Sequence, residues 1–249
     1  MTATDRSRAL AALLSKLRAS TPPKDRGTDE NPWPGDPLLR EFLRSFLMWE
    51  STAARAASAL ARMESEFVDL NEFRVSLIAE MAGVLGAGSG KGEERMGRLK
   101  LALNEIFKRE HALRLSSLAL KPKRESWTYL AELPGTPTFV AARTFVVGLG
   151  GHAFPIDERL RVRLVSAGVL ESETTLEEAA TQLERACKAG GAEEAHTLLQ
   201  AWSDSGVTVV VTRSTRAKAP RPAASRVVVS AKKRSPATVA RPAARKRKA

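Results

Sequence analysis

The chain has 249 residues, 43% of them apolar, and a formal net charge of +12. That length accommodates one large domain or two small ones with a substantial core, and no apolar run approaches the ~20 residues a membrane-spanning helix needs. A single cysteine, Cys187, excludes a disulfide within this sequence and any multi-cysteine metal site.

The first twenty residues place Leu10, Leu13, Leu14 and Leu17 at helical spacing among charges, which predicts a short amphipathic docking helix, with a transit peptide as the alternative. They lack the uninterrupted apolar core of a secretory signal. Residues 20–36 hold four prolines and two glycines and read as a linker or wrapped loop. Asp36-Pro37 then starts a helix, with a side-chain cap followed by a ring whose φ is preset and whose missing N–H costs nothing there. Leu39, Phe42, Leu43, Phe46 and Leu47 share one face of it. A second helix follows Ser51-Thr52, and Asn71 is expected to cap a third that runs to about Leu85.

The GAGSGKG stretch at 86–92 reads as a flexible connector. A phosphate loop needs Ser or Thr where Gly92 stands, and a strand rather than a helix before it. A long helix is predicted from about Glu93 to Leu115, a short one from Ser126, another from about Pro137 to Leu149, and another from Asp157 to Ala167. Thr174 is expected to cap TLEEAATQLERACKA, which stops at Gly190-Gly191 and carries Cys187 as a packed core thiol. A last helix covers about Ala192 to Trp202. Val207–Val211 is the one stretch with a clear β preference. The prediction is an all-α body of about ten helices with short connections.

Charge is divided unevenly. Residues 213–249 carry thirteen of the forty Lys and Arg and no Asp or Glu, leaving 27 basic against 28 acidic residues before them. This Ala-, Pro- and basic-rich segment cannot bury enough apolar surface to fold alone, and a disordered tail is expected. Its clusters Lys232, Lys233, Arg234 and Arg245, Lys246, Arg247, Lys248 suit non-specific, salt-dependent nucleic-acid binding. A cytoplasmic, nucleoid-associated location is the corresponding expectation, with a monomer as the default state.

From Leu133 to Asp157 the sequence reads LPGTPTFVAARTFVVGLGGHAFPID. A tight turn opens a helix, whose outward N–H groups and dipole suit a phosphate; an unliganded helix–turn–helix connection would use the same tripeptide. Twenty-four residues after Leu133, a carboxylate opens the next helix. This layout, at this spacing, resembles the helix-hairpin-helix DNA glycosylases of the endonuclease III superfamily. The resemblance spans roughly Pro37 to Trp202. It implies a two-lobed all-α fold over residues 37–212, preceded by an N-terminal helix and linker over 1–36 and followed by the tail over 213–249. It also implies base excision on double-stranded DNA.

The family's hairpin reads LPG, an apolar residue, a second glycine, then x-Lys-Thr-Ala. Leu133, Pro134, Gly135 and Ala141 match it, while Pro137 replaces the second glycine, Phe139 the lysine and Val140 the threonine. The resemblance makes Leu133, Pro134, Gly135, Thr136 and Thr138 DNA-contact candidates, with one amide donor lost at Pro137. Phe139 has no amine, so the Schiff-base route to strand cleavage is closed, and a monofunctional glycosylase that uses water is what remains. Asp157 is the implied catalytic residue, stabilising charge on the deoxyribose or activating water, and it reads equally as a helix N-cap. Beside a helix N-terminus it is expected to keep a low pKa.

Arg159 and Arg163 share a helix face and are phosphate candidates, or a solvated face. Glu50 stands where the family often has a Gln that fills the gap left by a flipped base, and Trp49 before it reads as a base wedge or as core. Ser45 is nearest the position of the catalytic glutamate of adenine-specific members, so that chemistry is not supported. The family's iron–sulfur loop needs four cysteines, so no cofactor is expected. The alternative is an inactive glycosylase-fold protein that clamps duplex DNA, which the changes at Pro137, Phe139 and Glu50 favour.

Overall fold

The computed structural model describes residues 2–20, 35–86, 90–188 and 190–207. The expected β segment beyond Val207, and the basic tail with its seven candidate residues, lie outside the described residues. Among the described residues all regular structure is helical: α1 (Ala3–Ser20), α2 (Pro37–Met48), α3 (Ala53–Glu66), α4 (Leu70–Val75), α5 (Ile78–Gly83), α6 (Gly92–Glu110), a 3-10 turn (Ser116–Leu120), α7 (Lys123–Ala131), α8 (Thr138–Arg143), α9 (Glu158–Ser166), α10 (Leu176–Ala186) and α11 (Ala192–Ser205). After Arg143, α8 widens into a π-helical turn over Thr144–Gly148. No described helix is long and apolar enough to cross a membrane.

Two apolar cores organise these helices. The first gathers Phe42, Phe46, Met63, Phe73, Leu99, Ile106 and Val140 from α2 to α8. The second joins the ends of the described chain: Leu10, Leu13, Leu14 and Leu17 of α1 pack with Leu160 and Leu164 of α9, Leu183 of α10 and Leu199 of α11. Half-buried Cys187 touches both cores, and burial raises its thiol pKa. It behaves as a small apolar side chain.

Capping side chains start α2, α3, α4, α9 and α10, and several helix limits differ from those predicted. Asp36 does cap α2, accepting from the amides of Leu38 at 2.9 Å and Leu39 at 3.0 Å. Its other oxygen accepts from Leu115 and Ser116, at 2.7 and 2.8 Å. Those two amides are thereby withdrawn from α6, which ends at Glu110, where His111 turns left-handed (φ 54°), rather than near Leu115. The helix predicted from Asn71 is two. Asp69, not Asn71, caps α4 through the Glu72 amide at 2.8 Å. The chain breaks at Ser76, whose carbonyl Lys100 Nζ takes up, and Glu80 accepts from the Leu77 amide at 2.9 Å to start α5. α7 begins at Lys123 instead of Ser126; Ser126 is buried and donates to the Leu118 carbonyl at 2.8 Å. Thr175 rather than Thr174 caps α10, exchanging bonds with Glu178 at 3.2 and 3.0 Å.

The hairpin between α7 and α8 depends on Gly135. Its φ is +76°, and a Cβ there would stand 2.6 Å from the carbonyl oxygen of Arg98 on α6. Gly135→Ala therefore adds a backbone clash to a left-handed strain. We expect a loss of at least about 2 kcal/mol, read as a lower urea midpoint with unchanged slope.

Candidate functional site

The α2–α3 connection, Trp49 to Thr52, is four residues long and makes a sharp turn. Glu50 at its centre has φ 51°, a conformation that a glutamate adopts only when its surroundings impose it. Those surroundings are side chains from distant parts of the sequence. Arg95 of α6 donates to the Trp49 carbonyl at 2.6 Å. Asp157 accepts from the Glu50 amide at 2.9 Å. Arg159 donates to the Ser51 carbonyl, and Asp204 accepts from the Ala53 amide at 2.8 Å. Locally, Thr52 Oγ1 accepts from the Arg55 amide at 3.2 Å, starting α3.

Asp157 is the centre of this arrangement. One carboxylate oxygen caps α9 through the Leu160 amide at 2.9 Å, and the other holds Glu50, 107 positions away. The residue is 4% exposed. Burial raises its pKa above the ordinary aspartate value, partly offset by the amides of Leu160 and Glu50 and by the charge of Arg159. This corrects the low pKa expected from the helix N-terminus: desolvation of the carboxylate outweighs the cap. The result is a buried acid with raised proton affinity, suited to accepting a proton.

The remaining candidates lie around it at varied distances. The Glu50 carboxylate faces solvent far enough to pair with Lys91 Nζ at 3.3 Å. Trp49 packs half-buried on the first core, with the Arg98 guanidinium 5.4 Å from its ring centroid. Arg98 is also the residue whose backbone abuts Gly135, so α6 links this loop to the hairpin. In the hairpin, Leu133 is buried, Pro134 and Thr138 are exposed, and the Thr136 amide donates to the Leu133 carbonyl at 3.1 Å. Pro137 caps α8 with no side-chain bond.

Phe139 is 3% exposed and packs with its ring centroid 6.1 Å from that of His196 on α11. Arg159 is committed to Ser51 and, at 3.2 Å, to Asp204. Arg163 donates to the carbonyls of Ser203 (3.1 Å) and Val207 and stacks 4.7 Å over Trp202. The two arginines named as phosphate candidates thus spend donors inside the protein.

Lys91, Arg95, Arg98, Gln200 and Asp204 were not found by sequence reasoning. Arg95 carried a usable signal, since it stands on the α6 face shared by Leu99, Ala102 and Ile106, where a cation is out of place unless bonded. Asp204 and Gln200 carried none, because Ser51, Ala53 and Arg159, the groups outside α11 that they hold, are far away in sequence.

No protein-family model matches the chain, and no curated protein matches it by sequence. Its folded shape does match. A trapped endonuclease III–DNA covalent intermediate superposes with a TM-score of 0.58 at 14% identity, covering 78% of this chain and 84% of that one. A non-covalent endonuclease III–DNA complex gives 0.56 at 14% identity over the same shares. A thermostable thymine-DNA glycosylase gives 0.53 at 15% identity, over 80% of this chain and 86% of that one.

The fold is that of the helix-hairpin-helix DNA glycosylases. In the terms of that glycosylase fold, α7, the Leu133–Gly135 turn and α8 are the hairpin, and the two apolar cores are the two lobes. Asp157 opens the helix that follows. Phe139 carries no amine and packs against His196 of α11. Cys187, the one cysteine, does not supply the four thiolates of an iron–sulfur cluster.

Proposed function

We propose that the protein acts on duplex DNA as a monofunctional base-excision glycosylase. The carrying observation is Asp157: a buried carboxylate with raised pKa, capping the helix after the hairpin and touching the α2–α3 loop. The solved structures that share the fold include DNA complexes of endonuclease III and a thymine-DNA glycosylase, which supports a DNA substrate. In this reading the hairpin amides and the basic tail hold phosphates. The bound duplex bends and a nucleotide leaves the stack. Asp157 then activates water at the sugar, or offsets positive charge as the glycosidic bond breaks. With no amine at Phe139, the strand stays intact.

The test is excision from duplexes carrying uracil, alkylated, oxidised or mismatched bases, with strand breaks read before and after hot alkali. Breaks that require alkali are the expected result; breaks without alkali refute the monofunctional assignment. One observation favours a second reading, a non-enzymatic duplex clamp: both Asp157 oxygens are engaged and the residue is 4% exposed. Tight duplex binding with no excision from any substrate would select the clamp.

A further inference from the structure

α11 carries His196, Gln200 and Asp204 four residues apart, which places them in one row along the helix. His196 packs against Phe139, while Gln200 and Asp204 reach the α2–α3 connection. Gln200 Nε2 donates to Asp204 Oδ1 at 3.0 Å and reaches the Ser51 carbonyl at 3.5 Å. Asp204 Oδ1 also accepts from Arg159 at 3.2 Å, and Oδ2 accepts from the Ala53 amide at 2.8 Å. One carboxylate thus holds three groups from three helices.

Its location makes no sense for α11 alone. Asp204 lies in the last turn, where the helix dipole disfavours an anion, and that turn has no basic residue to offset it. The same carboxylate is favourably placed for α3, at whose N-terminus it sits. α3 already has a local cap in Thr52, so Asp204 is not needed to start the helix. What it adds is position: it fixes Ala53 directly, and fixes Ser51 through Arg159 and Gln200. Glu50 lies immediately before Ser51, in a left-handed conformation that must be held.

We infer that Asp204 is a positioning residue for the Asp157 site. It acts through Arg159, Gln200 and the α3 N-terminus to hold the α2–α3 loop where the Glu50 amide meets the Asp157 carboxylate. Its functional meaning rests on the glycosylase reading; its structural test does not. In that reading Asp204 sets the covering of the catalytic carboxylate, and thereby the geometry in which the carboxylate meets the substrate sugar.

The experiment is residue-resolved amide hydrogen exchange on the full chain, for wild type, Asp204→Ala and Asp204→Asn. In Asp204→Ala the amides of Glu50 and Ala53 exchange about tenfold faster or more, as loss of bonds to a charged acceptor requires. The core amides of Leu43 and Leu199 stay unchanged. Asp204→Asn keeps one acceptor and gives an intermediate acceleration at Glu50; it also carries the test if the alanine variant does not fold. Acceleration at Ala53 alone would reduce Asp204 to a helix cap, and equal acceleration throughout the cores would make its role one of global stability; either overturns the inference. On a duplex from which the wild type excises a base, Asp204→Ala lowers kcat with KM little changed. Exchange decides the positioning role whatever excision returns, so the two readings fail separately.

Discussion

Asp157→Asn lowers the rate of base excision by at least about 100-fold while duplex affinity stays within a few-fold of wild type. The substitution keeps the shape but removes the proton acceptor. The amide side chain has one acceptor atom where the carboxylate uses two, so either Leu160 or Glu50 is left with its N–H facing an NH2 group. Measurement on a duplex from which the wild type excises a base, under single-turnover conditions, separates the chemical step from binding. Retained excision in Asp157→Asn would remove Asp157 from the chemistry and leave it a cap.

The same variant has a distinct signature in stability. Because burial raises the folded pKa of Asp157, the unfolded chain ionises first as pH rises from the ordinary aspartate value of about 3.9. Through that interval the folded state binds more protons than the unfolded state, so this residue's contribution falls with rising pH. Above the folded pKa the penalty is constant. Asparagine carries no such penalty. The stability of Asp157→Asn relative to wild type therefore rises with pH through the interval and is flat above it, as urea midpoints from pH 3.5 to 7 would register. A difference that falls with pH would mean a depressed pKa.

Phe139→Ala costs about 3–5 kcal/mol, the range for truncating a buried aromatic. The ring is 3% exposed, belongs to the first core, and meets His196 on α11, whose Ala195, Leu198, Leu199 and Trp202 belong to the second. Its loss opens a cavity where the lobes join, which neither side can fill without moving a helix. Thermal or urea unfolding gives the magnitude. The functional counterpart concerns the wild type: incubated with abasic-site duplex and borohydride, it forms no trapped covalent complex, because no amine stands at this position. A trapped complex would locate a nucleophile elsewhere and displace the monofunctional reading.

Much of the fold was legible because helical periodicity and capping are local. Leu39, Phe42, Leu43, Phe46 and Leu47 marked the buried face of α2, and all five are buried. Asp36-Pro37 and Asp157 marked helix starts that the structure keeps. The errors were also informative. Asn71 lost its capping role to Asp69, and the predicted single helix became α4 and α5, since Lys100 and Glu80 take up backbone groups at the break. α6 stopped early because Asp36, 79 positions before Leu115, claims an amide there. A local pattern cannot register a competitor that arrives from across the chain.

The candidate site divides the same way. By itself the sequence determined an all-α body, a Leu-Pro-Gly hairpin, a carboxylate opening the helix after it, and the absence of an amine at Phe139. Each follows from residue type and spacing within one or two turns. Tertiary structure alone decided that Asp157 meets Glu50, that Arg159 is committed to Ser51 and Asp204, and that the Asp157 pKa is raised rather than lowered. These depend on which groups displace water from a buried carboxylate and which amides replace it. Desolvation and long-range hydrogen bonding are set by neighbours in space, and the neighbours here lie 45 to 108 positions apart.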